Sequence, residues 1–403
     1  MSVYLNDLGI ICAVGQDKAS VINTLLEQPE QETLTKDEQL SLADEPIYVG
    51  RVNQQLPSLE DFDEHLQSRN NQLAYVAFQQ IAASVTKLIC DLPKQRVAVI
   101  IGTSTSGILE GEIARQEKST TGTMPANFNY AIQEMSAPAE FIAKVIDAKG
   151  PCYSISTACS SSAKALVSAQ ALLASNIVDV VICGGVDSLS ALPINGFQAL
   201  ESMAKNYCQP FSQGRDGINI GEGAALFVMS KQAYFTSKNN QTAIQLMGAG
   251  ESSDAYHVSA PEPSGKGAIS AMNNALATAN LAATDIDYIN AHGTATPKND
   301  EMEAQAIATL FGDKVPTSST KRFTGHTLGA AGAIEAGICW LLLSDYNIDG
   351  KIPKNKAQAM VDETLAPIHL SQGQSLKKLN YCLSNSFAFG GNNISLLLGK
   401  VND

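Results

Sequence analysis

The stretch Pro151-Cys-Tyr-Ser-Ile-Ser-Thr-Ala-Cys159-Ser-Ser-Ser-Ala-Lys-Ala-Leu166 decides the fold, because an apolar-alternating run turns into a helical one at a cysteine. Tyr153 and Ile155 predict one face of a short strand, and apolar residues from Ala163 onwards recur at helical spacing. Cys159 therefore lies at a strand-to-helix turn. The exposed N–H groups and partial positive charge of a helix N-terminus favour a thiolate there and can hold an oxyanion. The competing interpretation is a buried cysteine that only fills space.

Composition narrows the class of protein. The chain has 403 residues, 44% of them hydrophobic, so we expect a large core in two domains or two fused halves. A net charge of −13 argues against nucleic acid or an anionic membrane surface as the main partner. The eight cysteines form no CxxC pair and no metal-type cluster with histidine, which indicates reduced thiols and no metal site. Without a signal-like N-terminus or a membrane-length apolar run, we expect a cytoplasmic protein.

Strand-like and helix-like segments alternate along the chain, which indicates an α/β fold with helices covering sheets. The second part repeats the first in outline, and the polar patch at 237–241 lies between them. We therefore divide the chain into 1–238, which carries Cys159, and 239–403. Residues 28–66 are polar and irregular, and we interpret them as a surface excursion. Strands are predicted at 3–14, 96–102, 178–184, 224–230, from 244, at 288–291 and near 381 and 394, and helices at 17–27, 71–89, 267–281, from 300 and at 329–343.

Two histidines lie in loops that suit catalysis. His292 follows a predicted buried strand, in a loop rich in small and hydroxyl residues, and loops of this kind are the usual site of chemistry in α/β folds. His326 stands beside a glycine at the start of an alanine-rich helix. A lone histidine in either place would more often be structural, but two of the five histidines here, together with Cys159, favour catalysis. The other three are interpreted as structural: His65, His257 and His369.

A glycine-rich turn near the C-terminus completes the set of motifs. In Ser384-Asn-Ser-Phe-Ala-Phe389-Gly-Gly-Asn-Asn393, two glycines follow Phe389 and predict a tight turn. Its backbone N–H groups can face a bound carbonyl oxygen while the aromatic ring covers a channel. Taken alone, a core phenylalanine in a hairpin is the simpler interpretation.

Together these motifs resemble the β-ketoacyl-acyl carrier protein synthases of the decarboxylating, chain-elongating type. The matching motifs follow the family's order at about its spacing: Ser-Thr-Ala-Cys159-Ser-Ser, Arg215-Asp-Gly, Gly221-Glu-Gly, His292-Gly-Thr-Ala-Thr-Pro, Lys321 four residues before Gly325-His326, and Phe389-Gly-Gly-Asn. The resemblance implies the thiolase fold, in which two similar α/β halves form five layers, αβαβα. It also implies a homodimer or a heterodimer with a homologous subunit, with each active site near the interface. The acyl carrier protein would be the partner and would bring its own phosphopantetheine, so no separate cofactor is expected.

The resemblance also assigns roles in a decarboxylative Claisen condensation. Cys159 would take an acyl chain from one carrier as a thioester. His292 and His326 would donate hydrogen bonds to the malonyl thioester carbonyl while carbon dioxide departs. The carbanion would then attack the acyl group, whose oxyanion lies between the N–H groups of Cys159 and Phe389. The product would be a 3-oxoacyl carrier protein longer by two carbons, in fatty acid or polyene/polyketide chain elongation.

Further roles follow from the same resemblance and from charge. Lys321 would set the electrostatics of His326, Glu303 would support the His292 loop, Thr294 and Thr296 would bind the pantetheine arm, and Phe389 would act as a gate. Because carrier proteins are acidic, docking onto this acidic chain should use a small cationic patch. The candidates are Arg69, Arg115 and Lys205.

Some residues depart from the common family pattern. Arg322 stands where a serine often follows the lysine, Asn299 replaces a frequent glycine, and Asn392 replaces a frequent threonine. These departures suit a specialised ketosynthase paired with a chain-length subunit in an aryl-polyene or type II polyketide pathway. Cys159 disfavours the alternative that this chain is itself a non-catalytic chain-length partner.

Other classes of enzyme fit the motifs less well. Chain-initiating relatives carry asparagine at the position of His326. A thiolase would need a second cysteine as base near the C-terminus, and Cys382 precedes the Phe-Gly-Gly turn instead of occupying that place. A cysteine peptidase would leave the second histidine and Lys321 unexplained.

Overall fold

The computed structural model describes residues 2–43, 45–234 and 242–401, so the predicted seam at 237–241 and the boundary at 238 lie outside the described residues. The strands are β1 (Tyr4–Cys12), β2 (Thr35–Asp37), β3 (Ile47–Val49), β4 (Val97–Gly102), β5 (Cys152–Ile155), β6 (Val180–Asp187), β7 (Gly223–Ser230), β8 (Ile244–Ser253), β9 (Tyr288–Asn290), β10 (Thr317–Ser318), β11 (Tyr381–Phe387) and β12 (Asn392–Lys400). The helices are α1 (Lys18–Glu27), α2 (Arg69–Ile89), α3 (Ile108–Thr121), α4 (Ala137–Ile146), α5 (Ser161–Ala174), α6 (Ala191–Ala199), α7 (Lys266–Ala279), α8 (Pro297–Phe311), α9 (Lys321–Thr324) and α10 (Ala331–Leu343).

Ten strands form two sets of five with the same internal order. The first set is β5-β4-β6-β7-β1 and the second is β10-β9-β11-β12-β8. In both sets the outer three strands are parallel and the remaining pairs are antiparallel. The two sets meet where Tyr4 of β1 pairs with Gln245 of β8. The two halves of the chain thus share one strand order and one set of strand directions.

The helices form three layers around these two sheets. Helices α5 and α10 pack against each other and contact strands of both sheets, so they form the central layer. Helices α2 and α4 cover the outer face of the first sheet, and α7 with α8 covers the second. All thirteen residues of α10 are buried, as expected for a helix that is covered on every side. This arrangement confirms the predicted α/β thiolase fold with five layers, αβαβα.

Several parts of the chain differ from the sequence-based expectation: α3, α4 and α6 were not predicted, and β6 extends to Asp187 instead of ending at 184. Helix α8 begins at Pro297 instead of 300, because proline is well suited to the first turn of a helix. Residues 28–66 are more than a surface excursion: β2 and β3 pair with each other, and Ile47, Val49 and Val52 are buried. The sequence did not predict this strand pair, because β2 and β3 contain too few alternating apolar residues to give a clear signal.

Among the described residues, no helix combines the length and the apolar composition that crossing a bilayer requires.

Candidate active site

The predicted strand-to-helix turn at the cysteine is confirmed. Strand β5 ends at Ile155, α5 begins at Ser161, and the chain turns sharply at Ala158, whose φ is 52°. The backbone N–H of Thr157 donates to Ser161 Oγ at 2.9 Å, so a serine side chain stabilises this turn. A Cβ on Gly102, at the end of β4, would lie within 2.5 Å of the start of α5. This close approach of strand and helix places Cys159 at the helix N-terminus.

Cys159, His292 and His326 converge on one buried site. One ligand-type atom from each lies within 4.8 Å of the other two, although the residues come from distant parts of the chain. His326 Nε2 lies 3.0 Å from Cys159 Sγ. The two imidazole rings are 5.4 Å apart and meet edge to face at 86°. The prediction that a sulfur and two imidazoles share one site is therefore confirmed as geometry.

The surroundings of His326 determine which ring nitrogen carries the proton. The backbone N–H of Leu328 donates to Nδ1 at 3.2 Å, so Nδ1 is the acceptor in the neutral ring. The proton is then on Nε2, which faces Cys159. Backbone bonds on both sides hold the residue in place, from His326 N–H to Asn219 O (2.6 Å) and from Gly221 N–H to His326 O (2.9 Å). The Gly221-Glu-Gly motif thus positions His326.

Burial changes the protonation expected at the cysteine. It raises the pKa of Cys159 to about 11, against the opposing effects of the Lys321 ammonium and the backbone N–H groups of Phe389 and Cys159 itself. The sequence predicted that the helix N-terminus would favour a thiolate. In this closed site desolvation outweighs that contribution, so the resting form is the thiol. The same two N–H groups face the sulfur from the positions predicted for an oxyanion hole.

Both imidazoles are neutral at physiological pH. Burial lowers the pKa of His292 well below its ordinary value, and the charge of Lys321 lowers it further. Burial and Lys321 act on the pKa of His326 in the same direction. His292 Nδ1 has no hydrogen-bond partner among the described residues, so this ring has bonding capacity left for a substrate. Two neutral rings of this kind can donate to a carbonyl oxygen.

Lys321 lies in a buried ion pair that the sequence analysis missed. Its ammonium contacts Glu335 of α10, and both side chains are 2% exposed. Burial raises the pKa of Glu335 to about 7, although Lys321 opposes the shift. The available signal was a single carboxylate within an otherwise apolar helix, Ala-Gly-Ala-Ile-Glu335-Ala-Gly-Ile-Cys-Trp-Leu-Leu-Leu, since a buried acid of this kind needs a charged partner.

Glu303 lies behind the loop that carries His292. Its carboxylate accepts the backbone N–H groups of His292 (2.8 Å) and Gly293 (2.7 Å). Asn385 Nδ2 lies 3.3 Å from the same carboxylate, and burial raises the pKa of Glu303 to about 7. Asn299, one of the departures from the family pattern, places its amide 3.2 Å from the Asp300 carboxylate, beside Glu303. These contacts fix the loop backbone and leave the His292 ring directed at the site.

Two cavities reach Cys159, and Phe389 lines the first of them. The first is also lined by both histidines and the two threonines predicted to bind pantetheine, Thr294 and Thr296. The second is lined by Cys159 but by neither histidine nor Phe389. Phe197, on α6, lines both cavities, and its ring is 5.6 Å from that of Phe389. This aromatic pair can separate an acyl compartment from a carrier-arm compartment.

The three docking candidates differ in availability. Arg69 forms two hydrogen bonds to the fully buried Glu222, from Nε (2.9 Å) and Nη2 (2.6 Å), and is therefore the least available of the three for docking. The sequence around Arg69 did not indicate that partner, which lies 153 residues away in the chain. Arg115 and Lys205 are exposed, and Lys205 lies three residues beyond Ser202, which lines the first cavity.

A sulfur and two imidazoles at this separation also resemble part of a metal centre. The Lys321 ammonium acts on all three groups, however, and would repel a cation bound between them. We therefore interpret Cys159, His292 and His326 as reacting groups. No metal is used in the function proposed below.

Known proteins share this sequence and this geometry. The family model for the N-terminal domain of beta-ketoacyl synthases matches residues 9–233, and that for the C-terminal domain matches residues 244–354. The chain is 38% identical over 267 residues to a 3-oxoacyl-[acyl-carrier-protein] synthase 2 of Coxiella burnetii, a match that covers 64% of each protein and thus just under two thirds of this relative. It is 32% identical over 344 residues to the Staphylococcus aureus protein of the same name, over 82% of each.

A solved structure supports the same assignment. One chain of the solved complex between the ketosynthase ApeO of Xenorhabdus doucetiae and its chain length factor ApeC superposes with a TM-score of 0.92 at 40% identity. The match covers 99% of this chain and 98% of that one. Because the N-terminal family model alone matches more than half of this chain, the chain belongs to the β-ketoacyl synthase family.

Proposed function

We propose that this chain catalyses the decarboxylative condensation of an acyl group on Cys159 with malonyl-acyl carrier protein, giving 3-oxoacyl-acyl carrier protein. The observation that carries the proposal is the 3.0 Å contact between His326 Nε2 and Cys159 Sγ, with His292 beside it. The substrates would arrive on the phosphopantetheine of the carrier, and the reaction needs no separate cofactor. The eight unpaired cysteines suit a cytoplasmic location.

The first half of the reaction would load the enzyme. Cys159 Sγ attacks the thioester carbonyl of the acyl carrier protein, and the oxyanion binds between the N–H groups of Cys159 and Phe389. The Cys159 proton leaves with the pantetheine thiol, so the exchange is neutral overall. A thiol whose pKa is about 11 therefore needs to ionise only when the carrier's sulfur is present to take the proton.

The second half would form the carbon–carbon bond. The pantetheine arm of malonyl carrier protein lies along Thr294 and Thr296, whose hydroxyls are 2.9 Å apart. His292 and His326 donate to the thioester carbonyl, which stabilises the enolate left when carbon dioxide departs. The enolate carbon attacks the acyl-Cys159 carbonyl, and the Cys159 thiolate leaves. Lys205 and Arg115, which are exposed on the protein surface, would contact the acidic carrier protein.

The test is incubation with acyl and malonyl carrier proteins, followed by mass spectrometry of enzyme and product. We expect an acyl adduct on the peptide that contains Cys159 and a released 3-oxoacyl carrier protein. An adduct on another residue, or release of free acid without condensation, would contradict the proposal.

A second proposal concerns the partner subunit. The 40% identity to a ketosynthase solved with its chain length factor favours pairing with a homologous subunit, in polyene or polyketide elongation, over fatty acid synthesis as a homodimer. Strand β5 lies at the end of its sheet with Cys152 exposed, so it offers an edge for such pairing. A purified chain that is an active dimer of two 42.6 kDa subunits would contradict this pairing. A monomer activated by a homologous subunit would support it.

The buried ammonium predicts a pH effect. Replacing Lys321 with methionine removes a charge that lowers the pKa of both imidazoles, so both values should rise towards the ordinary one. Protonation of His326 at Nδ1 would break its bond from Leu328 N–H. Activity is present above the imidazole pKa and is lost as pH falls through it. The acid limb of malonyl decarboxylation should therefore move to higher pH in Lys321→Met, and an unmoved limb would argue against this role of Lys321.

A further inference from the structure

A second buried cation follows Lys321 directly. Arg322 is 1% exposed and is among the largest fully buried side chains of the described residues. It stands where family members often have serine, so the neighbouring catalytic motif does not account for it. A buried guanidinium is costly unless a carboxylate and further contacts compensate it. The contacts of Arg322 therefore indicate what its burial achieves.

Those contacts lead to residues 28–66, whose role the sequence left open. Arg322 Nη2 donates to Glu32 Oε1 at 2.9 Å, and Nη1 lies 2.7 Å from Oε2. The guanidinium carbon is 4.0 Å from the centre of the Tyr207 ring, which suits a cation–π contact. The Tyr207 ring in turn packs against that of Tyr48 on β3, at 4.4 Å. Both supports of the guanidinium thus depend on this segment.

The same segment holds the backbone around α9. Thr33 Oγ1 donates to Phe323 O at 2.5 Å. A Cβ on Gly50 would lie 2.1 Å from Thr324 O, so the two backbones are in close contact and only glycine fits. Gly50 N–H also donates to Ile220 O at 2.8 Å, beside the strand-like pairing that holds His326. Glu32, Thr33 and Gly50 therefore contact three of the four residues of α9.

Helix α9 needs such support because it has only four residues. A single helical turn has no stability of its own, so its position is set by what packs on it. Its first residue, Lys321, must keep its ammonium on Glu335 and near the two imidazoles. A small rotation of α9 would move that charge, and misplacements of about 1 Å can lower rates by about a hundredfold.

We propose that Arg322 is a positioning residue, and that its ion pair with Glu32 makes residues 32–33 and 48–50 a brace that holds Lys321 in its working position. The brace acts through Lys321, and Arg322 itself does not contact the reacting atoms. The expected loss of activity rests on the proposed condensation. The brace itself rests only on the observed contacts.

The test is Glu32→Gln, which removes the carboxylate charge and keeps the side-chain size. The matched control is Glu30→Gln, because Glu30 pairs at 2.8 Å with Lys354 on the surface and is 76% exposed. For malonyl decarboxylation by the full chain in the oligomeric form in which it purifies, we expect kcat to fall about tenfold in Glu32→Gln with KM almost unchanged. Glu30→Gln should match the parent enzyme. In an Arg322→Ser background, Glu32→Gln should have little further effect, because of the two cations that contact Glu32 only Lys356, at 3.4 Å, remains.

A readout independent of the condensation is the rate at which iodoacetamide alkylates Cys159, followed by peptide mass spectrometry. The Lys321 ammonium lowers the pKa of Cys159 and so favours the reactive thiolate. Alkylation should therefore slow several-fold in Glu32→Gln and stay unchanged in Glu30→Gln. A parent enzyme that releases no carbon dioxide would count against the proposed function, and alkylation would still decide the brace. The brace would be overturned if alkylation were unchanged in Glu32→Gln, or if that variant changed KM but not kcat. It would also be overturned if Glu32→Gln lowered kcat equally in the parent and in the Arg322→Ser background.

Discussion

Cys159→Ala should abolish acyl transfer and condensation, with a loss of at least about 10⁴-fold, because the covalent route depends on the Cys159 thiol. Among the described residues, the two cavities that reach this position contain one cysteine. Malonyl decarboxylation should persist in the variant, because the histidines that stabilise the enolate remain. The measurement is product formation from acyl and malonyl carrier proteins, with enzyme mass recorded in parallel.

The matched control for that experiment is Cys90→Ala. Cys90 is an exposed cysteine directly after α2 and lies outside both cavities. This variant should keep the acyl adduct and normal turnover. Condensation by Cys159→Ala at a rate near that of the parent enzyme would show that the acyl group is held elsewhere.

His292→Ala and His326→Ala should each lower malonyl decarboxylation by about 10²–10³-fold. Each variant removes one hydrogen-bond donor from the site where the enolate oxygen develops, and losses of this size are usual for such donors. The double variant should lose little beyond the worse single one if the two rings act as a unit. Release of labelled carbon dioxide from malonyl carrier protein measures the step without interference from acyl transfer.

His257→Ala serves as the control for those variants. His257 is an exposed loop residue whose ring contacts Ser259, and it should leave the rate unchanged. Normal carbon dioxide release by both His292→Ala and His326→Ala would remove the enolate role from the account, even if Cys159 still carried the acyl group.

Local pattern was enough to place the strand-to-helix turn at Cys159. The change of period at Cys159 follows from residues that are neighbours in sequence, and the structure places the turn where the pattern does. The convergence of Cys159 with His292 and His326 rested on the family resemblance, because no local signal brings residues 133 and 167 positions apart together. The five layers likewise follow from alternating strands and helices combined with that resemblance.

Ion pairs between residues that are distant in the chain could not be predicted from the sequence. The partner of Lys321 is fourteen residues away on another helix, and the partner of Arg69 is 153 residues away. Each is a buried carboxylate whose neighbours in the chain are mostly apolar or glycine, which signals a buried charge without identifying the cation. The brace on Arg322 was missed for the same reason, since Glu32 lies 290 positions before it.

The protonation state of Cys159 was missed for a different physical reason. A helix N-terminus can be read from sequence, but the extent to which other layers exclude water from it cannot. Here Cys159 is 5% exposed, and desolvation outweighs the nearby N–H groups and Lys321. We therefore expect the thiolate of Cys159 to form when the carrier arrives.

Single-turnover discharge of the acyl enzyme tests the central claim most directly. The enzyme is first acylated on Cys159 and freed of carrier, and malonyl carrier protein is then added while enzyme mass and carbon dioxide are followed together. If one site performs both steps, the adduct should disappear as carbon dioxide and 3-oxoacyl carrier protein form in equal amounts, and it should persist in His326→Ala. Carbon dioxide release with the adduct left intact in the parent enzyme, or equally fast discharge in His326→Ala, would contradict the account.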